Sequence, residues 1–145
     1  MRNRLGAVSA LGAGLLLAAV PAWTHHSFAA EFDRSKVVNL KGKVTKMEWV
    51  NPHAWIHVEV TNADGSKDQW MIEGNTPNGL LRRGFTKQSL QEGTELIIVG
   101  YRAKSGENRA SGSTVTFTNG QKLFLGSSAG DEPAEIAPAP GKAKK

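Results

Sequence analysis

The feature that most constrains the fold is an alternation of apolar and polar residues that recurs in three successive segments. In "VVNLKGKVTKMEW", Val38, Leu40, Gly42 and Val44 fall on one face, and the polar residues between them fall on the other. A period of two is typical of a half-buried β-strand. The same period returns in "HAWIHVEVTN" and "DQWMIEG". The middle of the chain therefore predicts a sheet of short strands.

Turn signals separate these segments and extend the series. Asn51-Pro52 separates the first predicted strand from the second. Asp64-Gly65 is typical of a hairpin turn between the second and third strands. "ELIIVGYRA" and "STVTFTNGQKLFLG" predict further strands, the last folded back at Asn119-Gly120. "NTPNGLLRRGF" differs, because it offers Asn75 or Thr76 as a cap and a proline in the first turn. It predicts a short helix.

The order of these elements predicts a mainly β protein. We expect a small OB-like barrel of five to six strands, with one short helix between strands 3 and 4. Gly42 and Gly100 lie inside predicted strands, where glycine suits the sharp bends of a small barrel. An up-and-down meander and an open sheet with one covering helix are the alternative arrangements.

The two ends of the chain differ in composition from its middle. Residues 1–24 combine Arg2 and Arg4 with an apolar run and small residues, as secretory signal peptides do. The run is too short to span a membrane, so no anchor is expected after processing. We expect an arm over residues 25–36, the barrel domain over 37–126 and a disordered Ala/Pro/Lys tail over 127–145. The predicted location is periplasmic or secreted.

The composition excludes several classes of chemistry for this chain. The chain has no cysteine, which excludes disulfides, thiolate catalysis and thiolate metal ligands. Loss of Arg2 and Arg4 with the signal leaves +3 of the formal net charge of +5, a weak basis for nucleic-acid binding. No phosphate-binding loop, nucleophile elbow or His-Glu-x-x-His helix is present. Glu48 and Glu73 are possible acids, but the sequence shows no partner for either.

Five stretches carry a resemblance to a known family: "HHSFAAEFD", "VTKMEWVNPHAWIHVEV", "NTPNGLLRRGF", "GYRAKSGENRA" and "TNGQKLF". Together they resemble a family of exported bacterial proteins of unknown function, in which a His-His-Ser-Phe start follows the signal. The resemblance covers essentially the whole processed domain. It implies a location in the cell envelope and a small β-rich fold, and it implies no activity, substrate or cofactor.

We predict that the chain is a non-enzymatic binding module that recognises an envelope protein or a small ligand. The alternation places Trp55 and His57 on the polar face of the second strand, where a barrel of this class presents a ligand surface. The alternative for Trp55 is burial under the helix or loops. The candidate ligand-binding residues are Asn51, His53, Trp55, His57, Arg82, Arg102 and Arg109.

Copper binding is the alternative function, with His25, His26 and His53 as candidate ligands. Cleavage after Ala22 would make His25 the third residue, and cleavage after Thr24 would make it the first. In either case the free amine and imidazole suit Cu(II). Exposed polar residues at a terminus are the competing explanation. His53 and His57 are four strand residues apart, about 13 Å, so we do not expect them to share one metal directly unless the chain bends at Pro52. A copper-dependent oxidative enzyme is a third, less favoured hypothesis, and no cofactor is certain.

Overall fold

The computed structural model describes residues 28–126, and these residues are mainly β. Each segment in which alternation predicts a strand forms one. The elements in chain order are α1 (Phe28–Glu31), β1 (Phe32–Glu48), β2 (Trp55–Thr61), β3 (Lys67–Glu73), α2 (Pro77–Arg82), β4 (Glu95–Ala103), β5 (Arg109–Phe117) and β6 (Lys122–Phe124).

The strands form one sheet in the order β3-β2-β1-β4-β5-β6, in which neighbours are antiparallel. An additional parallel pairing connects residues 71–73 of β3 with residues 109–111 of β5. Because this pairing joins the two ends of the series β3-β2-β1-β4-β5, those five strands form a continuous hydrogen-bonded circuit. The predicted mainly β class and the count of five to six strands are confirmed.

The helical content differs from the prediction of one helix. α2 lies between β3 and β4, and Thr76 caps it by accepting a hydrogen bond from the Gly79 N–H at 3.1 Å. A second helix, α1, precedes β1 and was not expected. Four residues are too few to show a helical period in sequence. Contacts made by Phe28 hold α1 instead, and its ring packs edge-on against Tyr101 with centroids 5.4 Å apart.

The core forms on the face that the alternation assigns to it. Ile56 and Val58 of β2 are completely buried, and Trp70 and Ile72 of β3 are buried beside them. Full burial of one such aliphatic side chain contributes about 1.5–3 kcal/mol. Leu80 of α2 reaches the same cluster. The opposite face of β2 and β3 is left for half-buried polar and aromatic side chains.

The pairing of β1 shifts register at two places, and each shift changes which residues lie opposite each other. A register shift between Val44 and Lys46 brings Lys46 opposite His57. A larger shift lies near the start of the strand, where Phe32 pairs with Ala103 and the next pair is Val37 with Tyr101. Residues 33–36 therefore loop out of the ladder, since four residues of β1 face one residue of β4. The first residue of β1 thus pairs with β4 separately from the long ladder that begins at Val37.

Candidate binding site

The outer face of β2 and β3 carries the first predicted site residues. Trp55 and His57 point away from the core and are half-buried, in alternation with the fully buried Ile56 and Val58. Trp55 lies directly opposite Glu73 in the β2–β3 ladder. Arg109 opens β5 opposite Met71, two residues before Glu73 on β3. The parallel β3–β5 pairing therefore brings Arg109, Glu73 and Trp55 to one place on one face.

Arg109 is the centre of a charged cluster on this face. Its Nη2 donates a hydrogen bond to Oε2 of Glu31 at 2.7 Å and lies 3.6 Å from Oε2 of Glu73. Glu31 is the last residue of α1, and the next residue pairs with Ala103, close to the start of β5. The three side chains are between 16% and 29% exposed, so solvent screens their charges only in part.

Two aromatic rings flank the same guanidinium. The Cζ atom of Arg109 lies 5.0 Å from the ring centroid of Trp55 and 5.6 Å from that of Phe32. A guanidinium this close to an aromatic ring gains a favourable cation–π interaction. Nε of Arg109 is buried and has no hydrogen-bond partner within residues 28–126. Aromatic contacts thus hold the group in a fixed position with part of its donor capacity unused.

Glu73 is the electrostatically perturbed member of the cluster. Burial raises the pKa of the Glu73 carboxyl above its usual value. The nearby charges of His53 and Arg109 act in the opposite direction, and the charge of Glu31 adds to the rise. Burial dominates because a carboxylate loses hydration that two partners at 3.6 Å replace only partly.

His53 joins the cluster through its Nδ1 atom. Nδ1 lies 3.2 Å from the carbonyl oxygen of Gly74 and 3.6 Å from Oε1 of Glu73. Both neighbours are acceptors, so the neutral ring carries its hydrogen on Nδ1 and leaves the Nε2 lone pair available. The loop before β2, with a cis Asn51-Pro52 peptide bond, leads into this residue. Asn51 itself is exposed.

His57 belongs to a separate polar group. Its Nε2 lies 2.9 Å from Oε1 of Glu48, and the Lys46 Nζ donates to the same oxygen at 2.7 Å. The hydrogen bond from Lys46, and then that from His57, lowers the pKa of Glu48. His53 and His57 are therefore each engaged with a different glutamate. Glu48 and Glu73, which lack an evident partner in the sequence, both have one in the fold.

Two other predicted binding residues lie apart from the Arg109 cluster. Arg102 directs its guanidinium at the β4–β5 loop, where Nη2 donates to the Gly106 carbonyl at 2.9 Å and to Oδ1 of Asn108 at 3.2 Å. Its Cζ also lies 5.2 Å from the ring of Trp70. Arg82 is exposed at the end of α2 and forms no ion pair with another residue in the 28–126 range. Of the three predicted arginines, only Arg109 joins His53 and Trp55.

Sequence reasoning missed Glu31, Phe28 and Phe32, and it left Glu73 without a partner. The available signal was the alternation in "DQWMIEG", which puts Glu73 on the face opposite Trp70 and Ile72. Nothing local in "FAAEFD" predicts that Glu31 meets a residue 78 positions later.

Comparison with known proteins places the chain in a family. Residues 13–113 match the family described as "Family of unknown function (DUF6152)". The chain belongs to this family. The match spans both Glu31 and Arg109, so the residues of the cluster lie inside the matched region. No curated protein and no solved structure matches the chain.

The predicted metal ligands His25 and His26 lie outside the described residues. Within residues 28–126, no three His, Asp or Glu side chains are grouped so that they could hold a metal ion. In that same part of the chain, no helix has the length and apolar character needed to cross a membrane.

Proposed function

We propose that this protein is a non-enzymatic binding module of the bacterial envelope, and that its ligand binds at the cluster of Arg109, Trp55, Glu73 and His53. One observation carries the proposal. A guanidinium lies beside two aromatic rings on an outer sheet face, with a buried Nε–H that has no acceptor within residues 28–126. A fixed cation beside an indole ring suits the recognition of a small anionic molecule.

The strand circuit supports the expected OB-like barrel. Five strands are joined in the ring β1-β2-β3-β5-β4, and β3 and β5 run parallel. OB-fold barrels bind their ligands on the outer face of strands 2 and 3. Trp55 begins β2 and Glu73 ends β3, so the proposed site lies on the face that this fold uses for binding.

An envelope location is part of the proposal and rests on the signal-peptide pattern of residues 1–24. Cell fractionation with intact-mass measurement of the released chain tests it. The expected product begins after Ala22 or after Thr24. A full-length chain recovered from the cytoplasm would contradict the envelope location.

Binding is tested by nuclear magnetic resonance on the ¹⁵N-labelled processed chain, with a collection of small anions, neutral analogues and sugars. Ligands are expected to shift the Trp55 Nε1–H and Arg109 Nε–H signals in a saturable way. Trp55→Ala and Arg109→Met should abolish binding, whereas Arg82→Ala, on α2, should not change it. If no compound perturbs these two signals, or if the arginine and tryptophan variants bind as wild type does, the proposed site is wrong.

Copper binding through the processed N-terminus is a second candidate, because of the His53 geometry. An imidazole whose Nδ1–H faces a carbonyl and a carboxylate presents Nε2 as a ready metal ligand. The proposed ligands are His25, His26 and His53, together with the terminal amine. Calorimetric titration of the processed chain with Cu(II) should give one tight equivalent, weakened by His53→Ala and by one extra N-terminal residue. Absence of binding at micromolar copper would refute this candidate.

A further inference from the structure

Residues 28–32, called here the docked arm, cover the Arg109 cluster. The Glu31 carboxylate accepts a hydrogen bond from Nη2 of Arg109, and the ring of Phe32 lies over the guanidinium. Phe28 packs against Phe32 and Tyr101, with centroid distances of 5.6 and 5.4 Å. The cluster is therefore closed by a segment of the same chain.

The docked arm is connected to the main sheet through residues that do not pair with β4. Residues 33–36 loop out between the pairs Phe32–Ala103 and Val37–Tyr101, and a short turn holds the loop through Asp33, which accepts from the Ser35 N–H at 2.9 Å. Beyond the loop, β1 is paired without a break to β4 from residue 37 to residue 43. Release of the docked arm therefore requires no change in the long ladder that holds β1 in the sheet.

Lys104 also holds the docked arm, in addition to the Glu31 ion pair and the packing of Phe28 on Tyr101. The Lys104 N–H donates to the Glu31 carbonyl at 2.8 Å, and its Nζ donates to the Ala29 carbonyl at 2.6 Å. Lys104 is exposed, so water can replace its ammonium contact when the arm leaves. The contact between Glu31 and Arg109 is the one that an external anion would have to replace.

The orientation of Arg109 indicates what kind of anion fits. A carboxylate binds a guanidinium best through two parallel hydrogen bonds to one edge of the group. The Glu31 carboxylate accepts a hydrogen bond from Nη2 of Arg109. The neighbouring Nε–H is buried and has no acceptor in residues 28–126. A ligand carboxylate that is not tied to α1 can approach along this edge and accept from both nitrogens. The ring of Trp55, which stays beside the guanidinium when the arm leaves, favours a flat apolar group next to that carboxylate.

We propose that Glu31 occupies the position of a ligand carboxylate, and that the site takes a small molecule with a carboxylate beside a flat ring, in competition with the docked arm. The proposal rests on the proposed binding function and names both its ligand class and its internal competitor. Binding a ligand of this class displaces Glu31 from Arg109 and opens the arm at residues 33–36.

The experiment uses three probes on the ¹⁵N-labelled processed chain: benzoate, benzamide, which lacks the charge, and acetate, which lacks the ring. Benzoate should shift the Arg109 Nε–H and Trp55 Nε1–H signals to saturation, and the other two should bind much more weakly. Glu31→Gln removes the competing charge and should raise benzoate affinity by at least about fivefold, the lower end of usual coupling between linked events. Phe28→Ala weakens the docking of the arm without altering Arg109, so it should also raise the affinity for benzoate.

Glu59→Gln is the matched control. Glu59 is also a carboxylate on the outer face of β2, but its partner is Lys67 at 2.7 Å, so its loss should leave benzoate affinity unchanged. Equal binding of benzoate and benzamide would overturn the ligand class. An unchanged or lower affinity in both Glu31→Gln and Phe28→Ala would overturn the competition. If a ligand of other chemistry shifts the same two signals, this inference fails and the proposed function stands.

Discussion

Replacing Arg109 with methionine tests whether the charged cluster is organised as the structure indicates. The substitution keeps much of the apolar stem but removes the cation that Glu31 and Glu73 share. A hydrogen bond to a charged group contributes about 1.5–3 kcal/mol. Since Glu31 and Arg109 retain 24% and 29% of their exposure, we expect a loss of about 2 kcal/mol, in the lower half of that range. For a domain of this size, this corresponds to a fall in Tm of about 8–16 °C.

The destabilisation by Arg109→Met should depend on pH, and the pKa of Glu73 determines the direction of that dependence. Burial raises the folded-state pKa of Glu73, so its neutral form is favoured in the folded protein and stability is lost as pH rises through that pKa. Removing the Arg109 charge takes away one of the effects that lower this pKa, so the loss becomes larger. Arg109→Met should therefore be more destabilising at pH 7.5 than at pH 4, because the raised pKa of Glu73 leaves more of this carboxyl neutral, and less dependent on a cation, at the lower pH.

Urea unfolding at the two pH values measures both quantities, and a double-mutant cycle with Glu31→Gln isolates the pair. The cycle should give a coupling of about 1–2 kcal/mol, well above the error of about 0.3–0.5 kcal/mol for independent sites. Lys43→Met is the control, because Lys43 pairs with Glu95 at 3.7 Å where both side chains are more than half exposed. It should cost less than about 0.5 kcal/mol. An additive cycle, or a loss for Arg109→Met that is equal at both pH values, would refute the reasoning.

Three other substitutions test separate parts of the fold. Gly100→Ala places a Cβ against the Ser111 carbonyl at the β4–β5 register shift and should cost about 1–3 kcal/mol in urea unfolding. Thr76→Ala removes the α2 cap and should cost about 1 kcal/mol, while Thr76→Ser should retain most of the stability. His57→Ala removes one of the two hydrogen bonds that lower the pKa of Glu48, so a ¹³C-detected titration should show that pKa moving up toward its usual value. An unchanged Glu48 pKa would mean that the His57 contact does not persist in solution.

The fold was largely predictable because its determinants are local. The period of two in β2 places Ile56 and Val58 inward and Trp55 outward, and each is observed so. Pro77 and the Asn75-Thr76 pair predicted the start of α2 and left only the choice of cap open. α1 could not be predicted, because "FAAE" has no period of its own and depends on the ring of Phe28 packing against Tyr101.

The candidate site was only half predictable, because long-range pairing assembles it. Trp55, His53 and Arg109 were expected to contribute to binding, but the residues that hold them together were not. The β3–β5 pairing joins Glu73 to Arg109 across 36 positions, and α1 brings Glu31 to Arg109 across 78. Arg102 was expected at the site on charge alone, yet its donors bind the carbonyls of its own loop. A sequence shows which residues carry charge, but it does not show which groups in the fold pair with those charges.

The two proposals for function are coupled, because both involve the docked arm. His26 precedes Phe28 by two residues, so their Cα atoms can be at most about 7.6 Å apart. If copper joins the histidine pair to His53 while the arm is docked, a carboxylate at Arg109, which releases the arm, opposes copper binding. By linkage, copper should then weaken benzoate binding by the same factor by which benzoate weakens copper binding. Independent binding of the two, in one sample of processed chain, would show that the arm does not connect them.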